Sequence, residues 1–208
     1  MSGVFISMEG VEGVGKSTNH ACVCDYLSRH GHDVVATREP GGTVEAEKIR
    51  QLLLDSDNTL DAMSEALLMF AARREHVVNV IVPALEQGKS VVTDRFVDAS
   101  FAYQGGAREL GFEAISALEQ LVLGDLRPQL TLLLDLDVEL GLKRLGERDA
   151  APDRIEKEGL NFLIRVRDAY LRRANEDPER FRIIDASGTI AEVQGRLLSE
   201  MEAFSARQ

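Results

Sequence analysis

Cysteine is almost missing from this chain of 208 residues, which carries only Cys22 and Cys24. A lone C-x-C lacks the second pair that a structural zinc site needs, and it is not the C-x-x-C redox spacing, so both are read as packing residues on a helix. Basic residues are also in short supply: 24 Lys and Arg stand against 35 Asp and Glu, for a net charge of −11. Nucleic-acid binding needs a basic surface that neutralises phosphates, so no nucleic acid is expected as the main partner. An acidic globule can still hold a small nucleotide in a local cationic pocket. Long apolar runs are missing too. Nothing approaches about 18 consecutive apolar residues, so no membrane span is expected. The start Met1-Ser2-Gly3-Val4-Phe5 has neither the charged beginning nor the apolar stretch of a signal peptide. The expected location is the cytoplasm. No internal repeat or low-complexity tract interrupts the chain, and its length suits one α/β domain over residues 1–208.

What is present is a phosphate-binding loop. Residues Gly10, Val11, Glu12, Gly13, Val14, Gly15, Lys16 and Ser17 spell G-V-E-G-V-G-K-S directly after the apolar run Val4–Met8. Glycines at these positions allow torsions that a side chain would block, so consecutive N–H groups can turn inward around phosphate oxygens. Lys16 adds a mobile positive charge. The stretch Ser17 to Arg29 is predicted to be helical, so its first N–H groups, including that of Thr18, and its dipole face the anion. Ser17 offers a hydroxyl to Mg²⁺.

Short β-rich runs alternate with helical patterns, as in a parallel sheet joined by crossover helices. The predicted strands are Val4–Met8, Asp33–Thr37, Ser90–Asp94, Leu130–Asp135 and Arg182–Asp185; the predicted helices include Glu45–Asp55, Ser64–Gln87, Glu113–Val122, Val138–Arg148, Arg154–Asn175 and Ile190–Ala206. Pro83 is expected to kink or split the second of these. Polar strand ends at Arg38, Asp94 and Asp135 should converge with the loop on one crevice, because ligands of open parallel sheets lie beyond the carboxyl ends of the strands. Residues 146–154, G-E-R-D-A-A-P-D-R, have no apolar periodicity and read as a short lid.

A phosphate loop leaves the acceptor undefined. No N-K-x-D motif exists, and the only D-x-x-G, Asp185-Ala186-Ser187-Gly188, falls near the C-terminus, which argues against a regulatory GTPase. Thr37-Arg38-Glu39-Pro40-Gly41-Gly42-Thr43 sets an arginine fork beside a rigid turn, suited to a phosphate dianion or simply to solvent. Asp94-Arg95-Phe96 repeats the idea; Asp94 either holds Mg²⁺ through water or pairs with Arg95. Phe70 and Arg73, spaced i, i+3, can meet one ligand, or the ring can belong to the core. Ser100-Phe101-Ala102-Tyr103-Gln104-Gly105-Gly106 supplies an amide, two hydroxyls and a glycine pair for a base and sugar. The loop at Asp185–Gly188 either touches an adenine or is a satisfied turn.

Taken in order, E-G-V-E-G-V-G-K-S at 9–17, T-R-E-P-G-G-T at 37–43, L-L-M-F-A-A-R at 67–73, D-R-F at 94–96, S-F-A-Y-Q-G-G at 100–106 and G-D-L-R-P-Q-L-T-L-L-L-D at 124–135 resemble the thymidylate kinases. The resemblance implies a P-loop nucleoside-monophosphate kinase fold: a five-stranded parallel sheet with helices on both faces and a lid. It implies transfer of a phosphoryl group from ATP to dTMP, with Mg²⁺, in a homodimer joined near Ser64–Gln87. On matching positions, Phe70 would stack on thymine, Arg73 and Gln104 would read its polar edge, and Arg38 and Arg95 would hold the dTMP phosphate. Ser100 would join the substrate pocket, Glu12 would accept from the 3′-hydroxyl, and Tyr103 would crowd the 2′ position. Lys16, Arg95 and lid arginines would share the charge of transfer. Here the loop position that carries an arginine in some members is Gly13, so Arg148 or Arg154 is expected to supply it. The lid departs from the R-x-R-G cluster of bacterial relatives, its arginines being sparser and mixed with acids. The rival readings are a kinase for another acceptor and a nucleotide-binding module without turnover.

Overall fold

A computed structural model describes residues 3–146 and 153–207. Among these, the strands are β1 (Phe5–Glu9), β2 (Val34–Arg38), β3 (Ser90–Asp94), β4 (Leu130–Asp135) and β5 (Phe181–Asp185), paired in the order β2-β3-β1-β4-β5. All four pairings are parallel, so every strand carboxyl end points the same way. In register, Met8 lies opposite Asp94 and Leu132, and Arg38 opposite Asp94. The expected sheet is present, with ends shifted by no more than one residue.

The central strands read as unbroken apolar runs because both faces are covered. Neighbouring residues feed opposite clusters: Phe5 and Val91 join Phe70, Ile81 and Ile115, whereas Ile6 and Val92 join Val23 and Leu27. The covering helices are α1 (Lys16–Arg29), α2 (Val44–Leu54), α3 (Ala62–His76), α4 (Val82–Glu86), α5 (Val97–Ser100), α6 (Phe112–Leu123), α7 (Val138–Gly146), α8 (Leu160–Glu176) and α9 (Ile190–Ser205). None is long and apolar enough to cross a membrane.

Three helical stretches differ from expectation. The predicted Ser64–Gln87 helix is α3, a wide π-type turn at Val77–Ile81, and α4, with Pro83 in the first turn of α4. Proline has no N–H to give to the carbonyl four residues back, and the wider turn re-pairs the backbone, the Val82 N–H reaching Val77 O. The helix predicted from Arg154 starts at Leu160, because a short 3₁₀ turn (Glu156–Glu158) and Gly159 at φ 87° precede it. Residues 101–107, given no element from the sequence, extend α5 as a second wide turn that packs on α8. Such turns re-aim side chains, and this one carries Tyr103 and Gln104.

Below the second wide turn lies a buried ion cluster. Asp98 is fully buried and accepts from Arg180 Nη1 at 2.6 Å and Arg173 Nε at 3.1 Å, tying α5 to α8 and to the residue before β5. Either arginine's loss would leave a buried charge underpaired, which is costly.

Candidate active site

The phosphate loop leaves β1 at Glu9 and turns into α1 through Gly15, whose φ of 87° is left-handed. Gly13, at φ 76°, lies so near α7 that an added Cβ would sit 2.1 Å from the Gly141 carbonyl oxygen. Lys16 folds back and donates to Gly10 O at 3.1 Å and Val11 O at 2.9 Å, capping the loop it belongs to. Burial lowers its ammonium to about 8, with the nearby Arg95 charge adding to the effect and Asp94, Glu12 and Glu9 opposing it. Ser17 and Thr18 are exposed at the start of α1.

A cavity of about 410 Å³ opens beside this loop, lined among others by Glu12, Lys16, Arg50, Glu65, Met69, Arg95, Tyr103, Gln104 and Arg154. Arg95 sits just past β3 with φ 70°, a backbone that non-glycine residues seldom adopt. The conformation is pinned on both sides: the Arg95 N–H reaches Met8 O at 2.9 Å, and the Phe96 N–H reaches Glu9 Oε1 at 2.7 Å. The guanidinium donates to Gly10 O at 3.0 Å, to the Tyr170 hydroxyl at 3.1 Å and to Glu12 Oε1 at 2.9 Å. Tyr103 donates its hydroxyl to the same Glu12 oxygen at 2.6 Å, and Glu12 Oε2 is buried without a partner among the described residues. Tyr170 in turn donates to Glu9 Oε2 at 2.7 Å. Burial, with the Asp98 charge adding, lifts the Glu9 carboxyl to about 8.

A second, more open cavity adjoins the first and is lined by Ser17, His20, Thr37, Arg38, Gly42, Glu47 and Asp94. The Asp94 Oδ1 atom is buried and has no partner among the described residues. A carboxylate oxygen without a donor, near a serine at a helix start, fits a hydrated divalent cation held between protein and phosphates. Among the described residues no group of three or more His, Cys, Asp or Glu side chains is placed to chelate a metal. Magnesium bound to a nucleotide needs only one or two protein ligands.

The structure separates several residues that the sequence grouped. Arg38 and Arg95 line different cavities; Arg38 is half exposed and turned to Glu47 at 3.0 Å. Arg50 takes the place beside Arg95, its guanidinium donating to Pro40 O at 2.9 Å. Phe70 and Arg73 do meet, with the guanidinium 4.8 Å from the ring, but they are 2% and 1% exposed and face the core. Arg73 spends its donors on Glu39 Oε2 at 2.7 Å, Ser100 Oγ at 2.9 Å and Phe96 O at 3.0 Å. Ser100 is thereby also an internal anchor, and Met69, next to Phe70 on α3, lines the cavity together with Glu65. Glu39 accepts a second bond, from His76 Nδ1 to its Oε1 at 3.0 Å, so the T-R-E-P-G-G-T turn is stapled to α3.

Arg154 reaches the cavity, with Nε donating to Leu53 O at 2.7 Å and Nη2 to Glu65 Oε2 at 2.7 Å. Arg148 and residues 147–152 of the expected lid lie outside the described residues. The Asp185–Gly188 loop meets α7, where Arg144 donates to Ala186 O at 3.0 Å. Glu9, Arg50, Glu65 and Tyr170 were not singled out from the sequence. Arg50 follows the T-R-E-P-G-G-T turn at helical distance, which was a usable signal; Tyr170 lies 75 residues from Arg95 and had none.

Comparison with known proteins gives a consistent picture. The sequence model of the thymidylate kinase family matches residues 8–197. A thymidylate kinase of Ectopseudomonas mendocina is 54% identical over 195 residues, covering 93% of this chain and 92% of that protein. One of Chromobacterium violaceum is 49% identical over 206 residues, covering 99% and 96%. The crystal structure of thymidylate kinase from Ehrlichia chaffeensis superposes with a TM-score of 0.80 at 33% identity, covering 98% of this chain and 100% of that one.

Proposed function

The chain belongs to the thymidylate kinase family, and from that premise we propose how its residues carry ATP + dTMP → ADP + dTDP. The observation that carries the reading is the convergence of Lys16, Arg95, Glu12 and Tyr103 on one cavity at the strand carboxyl ends. A dTMP phosphate oxygen forms the new bond to the γ-phosphorus as the bond from that phosphorus to the ADP oxygen breaks. The attacking oxygen already carries a lone pair, so no strong general base is required. Catalysis is alignment and charge neutralisation in a water-poor crevice. Lys16 and the loop N–H groups take the ATP phosphates. Arg95, held rigid by Gly10, Tyr170 and Glu12, meets the acceptor phosphate. Glu12 and Tyr103, already bonded to each other, bracket the sugar: the carboxylate takes the 3′-hydroxyl and the ring crowds the 2′ position.

Magnesium is the cofactor in this reading, with Asp94 through water and Ser17 directly as its protein partners, supported by the unpartnered Asp94 Oδ1. When bound it neutralises phosphate charge and orients the β- and γ-phosphates. Arg154, or Arg148, is read as the arginine that joins the transferred group, with residues 146–154 read as the lid of this one domain. A homodimer is supported by the exposed apolar side chains Met63, Leu67 and Val78 on and just after α3. The cytoplasm is proposed as the compartment because both substrates are nucleotides.

A coupled ADP-release assay with MgATP tests the reading against dTMP, dUMP, dCMP, dGMP, AMP and thymidine. Strong preference for dTMP is expected. Turnover centred on another acceptor, or ATP binding with no acceptor phosphorylated, would overturn it.

A further inference from the structure

Glu65 stands on the first turn of α3 at the wall of the cavity, 1% exposed. Its carboxylate collects donors from three directions. Gln104 Nε2 donates to Oε1 at 2.8 Å, Arg154 Nη2 donates to Oε2 at 2.7 Å, and Arg108 pairs with Oε2 at 3.2 Å. Burial by itself would raise this carboxyl, but the bonds from Gln104 and Arg154 and the Arg108 charge outweigh it and hold the group below the usual carboxylate range. An ionised carboxylate only accepts, so the Gln104 atom that faces it must be the amide nitrogen. That fixes the other end of the amide. Gln104 Oε1 is buried, has no partner among the described residues, and belongs to a side chain that lines the cavity. A buried acceptor left without a donor is costly, and a ligand N–H restores what is missing.

Resting on the reading above that dTMP is the acceptor, we infer that Glu65 is a positioning residue for base choice: it locks the Gln104 amide so that the base meets an acceptor and not a donor. Thymine and uracil carry a donor at N3–H; cytosine carries a lone pair there. In the same seat cytosine would set lone pair against lone pair, and a site built around one hydrogen bond rejects the analogue that lacks it far more strongly than an apolar wall rejects a methyl group. Glu65 is 1% exposed, with both carboxylate oxygens taken by Gln104, Arg154 and Arg108. It acts through Gln104.

The test is the ratio of kcat/KM for dTMP to that for dCMP, alongside the dTMP to dUMP ratio, in wild type and Glu65→Gln. A glutamine at 65 can face Gln104 with either end, so the Gln104 amide is released to turn. The dTMP:dCMP ratio is expected to fall at least about tenfold, mainly through a higher KM for dTMP, while the dTMP:dUMP ratio, which reads only the methyl group, stays within about twofold. Gln104→Leu should lower the same ratio, and adding Glu65→Gln to it should change that ratio no further, because the route runs through Gln104. Arg154→Gln should slow dTMP and dCMP alike and leave their ratio unchanged. An equal loss on both acceptors in Glu65→Gln overturns the inference, as does an Arg154→Gln variant that shifts the ratio as much. Should Glu65→Gln fail to fold, Glu65→Asp carries the same comparison: it draws the carboxylate back by one methylene, and an unchanged ratio would sink the idea. Failure of the parent reading is visible separately, as a wild type that does not prefer dTMP.

Discussion

Arg95 donates to the Glu12 carboxylate at 2.9 Å while its own backbone stands at φ 70°, so a residue just past β3 is clamped to the middle of the phosphate loop that follows β1. The clamp ties the carboxyl end of β3 to the phosphate loop. Sparse backbone conformations persist only where several contacts over-determine them, and this one is held by Met8, Glu9, Gly10, Glu12 and Tyr170.

Replacing the fork by a point charge tests that clamp. A lysine amine in Arg95→Lys cannot serve Gly10 O, Tyr170 and Glu12 together, and Glu12 is left partly unpaired at a nearly buried position. The kcat/KM for dTMP is expected to fall about 100-fold, the scale of a broken buried charge pair. Steady-state kinetics at saturating MgATP check it, and a loss under threefold would show that the fork is dispensable.

Met69 and Phe70 make a paired test, because neighbouring residues on one helix face different surroundings. Phe70→Ala opens the core shared with Phe5, Ile81 and Phe96 and is expected to cost about 3–5 kcal/mol of stability by denaturant unfolding. Met69→Ala removes a cavity wall: the KM for dTMP should rise while the unfolding midpoint moves little. The reverse pattern would return the base-stacking role to Phe70.

Lys16 predicts a pH limb. Its ammonium is lowered from 10.5 to about 8, chiefly by burial, so the nucleotide-free enzyme loses this charge as pH rises through about 8. The kcat/KM for ATP should fall above that pH, and Lys16→Arg should remove the limb. The kcat profile reports the bound enzyme, where phosphates favour the ammonium, so its limb should lie higher. For folding the sign is the opposite of a stabilising charge. Below about 8 both states hold the proton and the burial penalty is complete; between about 8 and 10.5 the unfolded chain binds more protons, so this group's contribution to stability rises with pH.

Arg154→Ala is expected to lower kcat about 100-fold, the cost of one preorganised donor, with a much smaller change in dTMP affinity. Arg148→Ala measured beside it decides which arginine acts. Should both variants raise the KM for dTMP and leave kcat alone, the arginine of transfer lies elsewhere.

The fold was legible because its signals are local. Buried parallel strands demand continuous apolar runs, and the loop at Gly10–Ser17 demands glycines within one short segment, so both could be read off with strand ends within one residue. The substrate side was legible in part. Tyr103, Gln104, Arg95 and Arg154 line the cavity, while Phe70, Arg73 and Ser100 turn to the core and Arg38 turns to Glu47. One residue's difference along α3 is a rotation of about 100°, and which of Met69 and Phe70 faces the cavity depends on what packs against the helix.

The sequence alone determined the phosphate cradle, because that cradle is built from the backbone of consecutive residues and needs only the torsions that Gly10, Gly13 and Gly15 permit. Tertiary structure decided how each polar side chain is committed. Arg73 is claimed by Glu39 across 34 positions, Gln104 by Glu65 across 39, and Arg95 by Glu12 across 83. A buried donor must find an acceptor wherever the fold supplies one, and over such separations only the packed chain determines which acceptor that is.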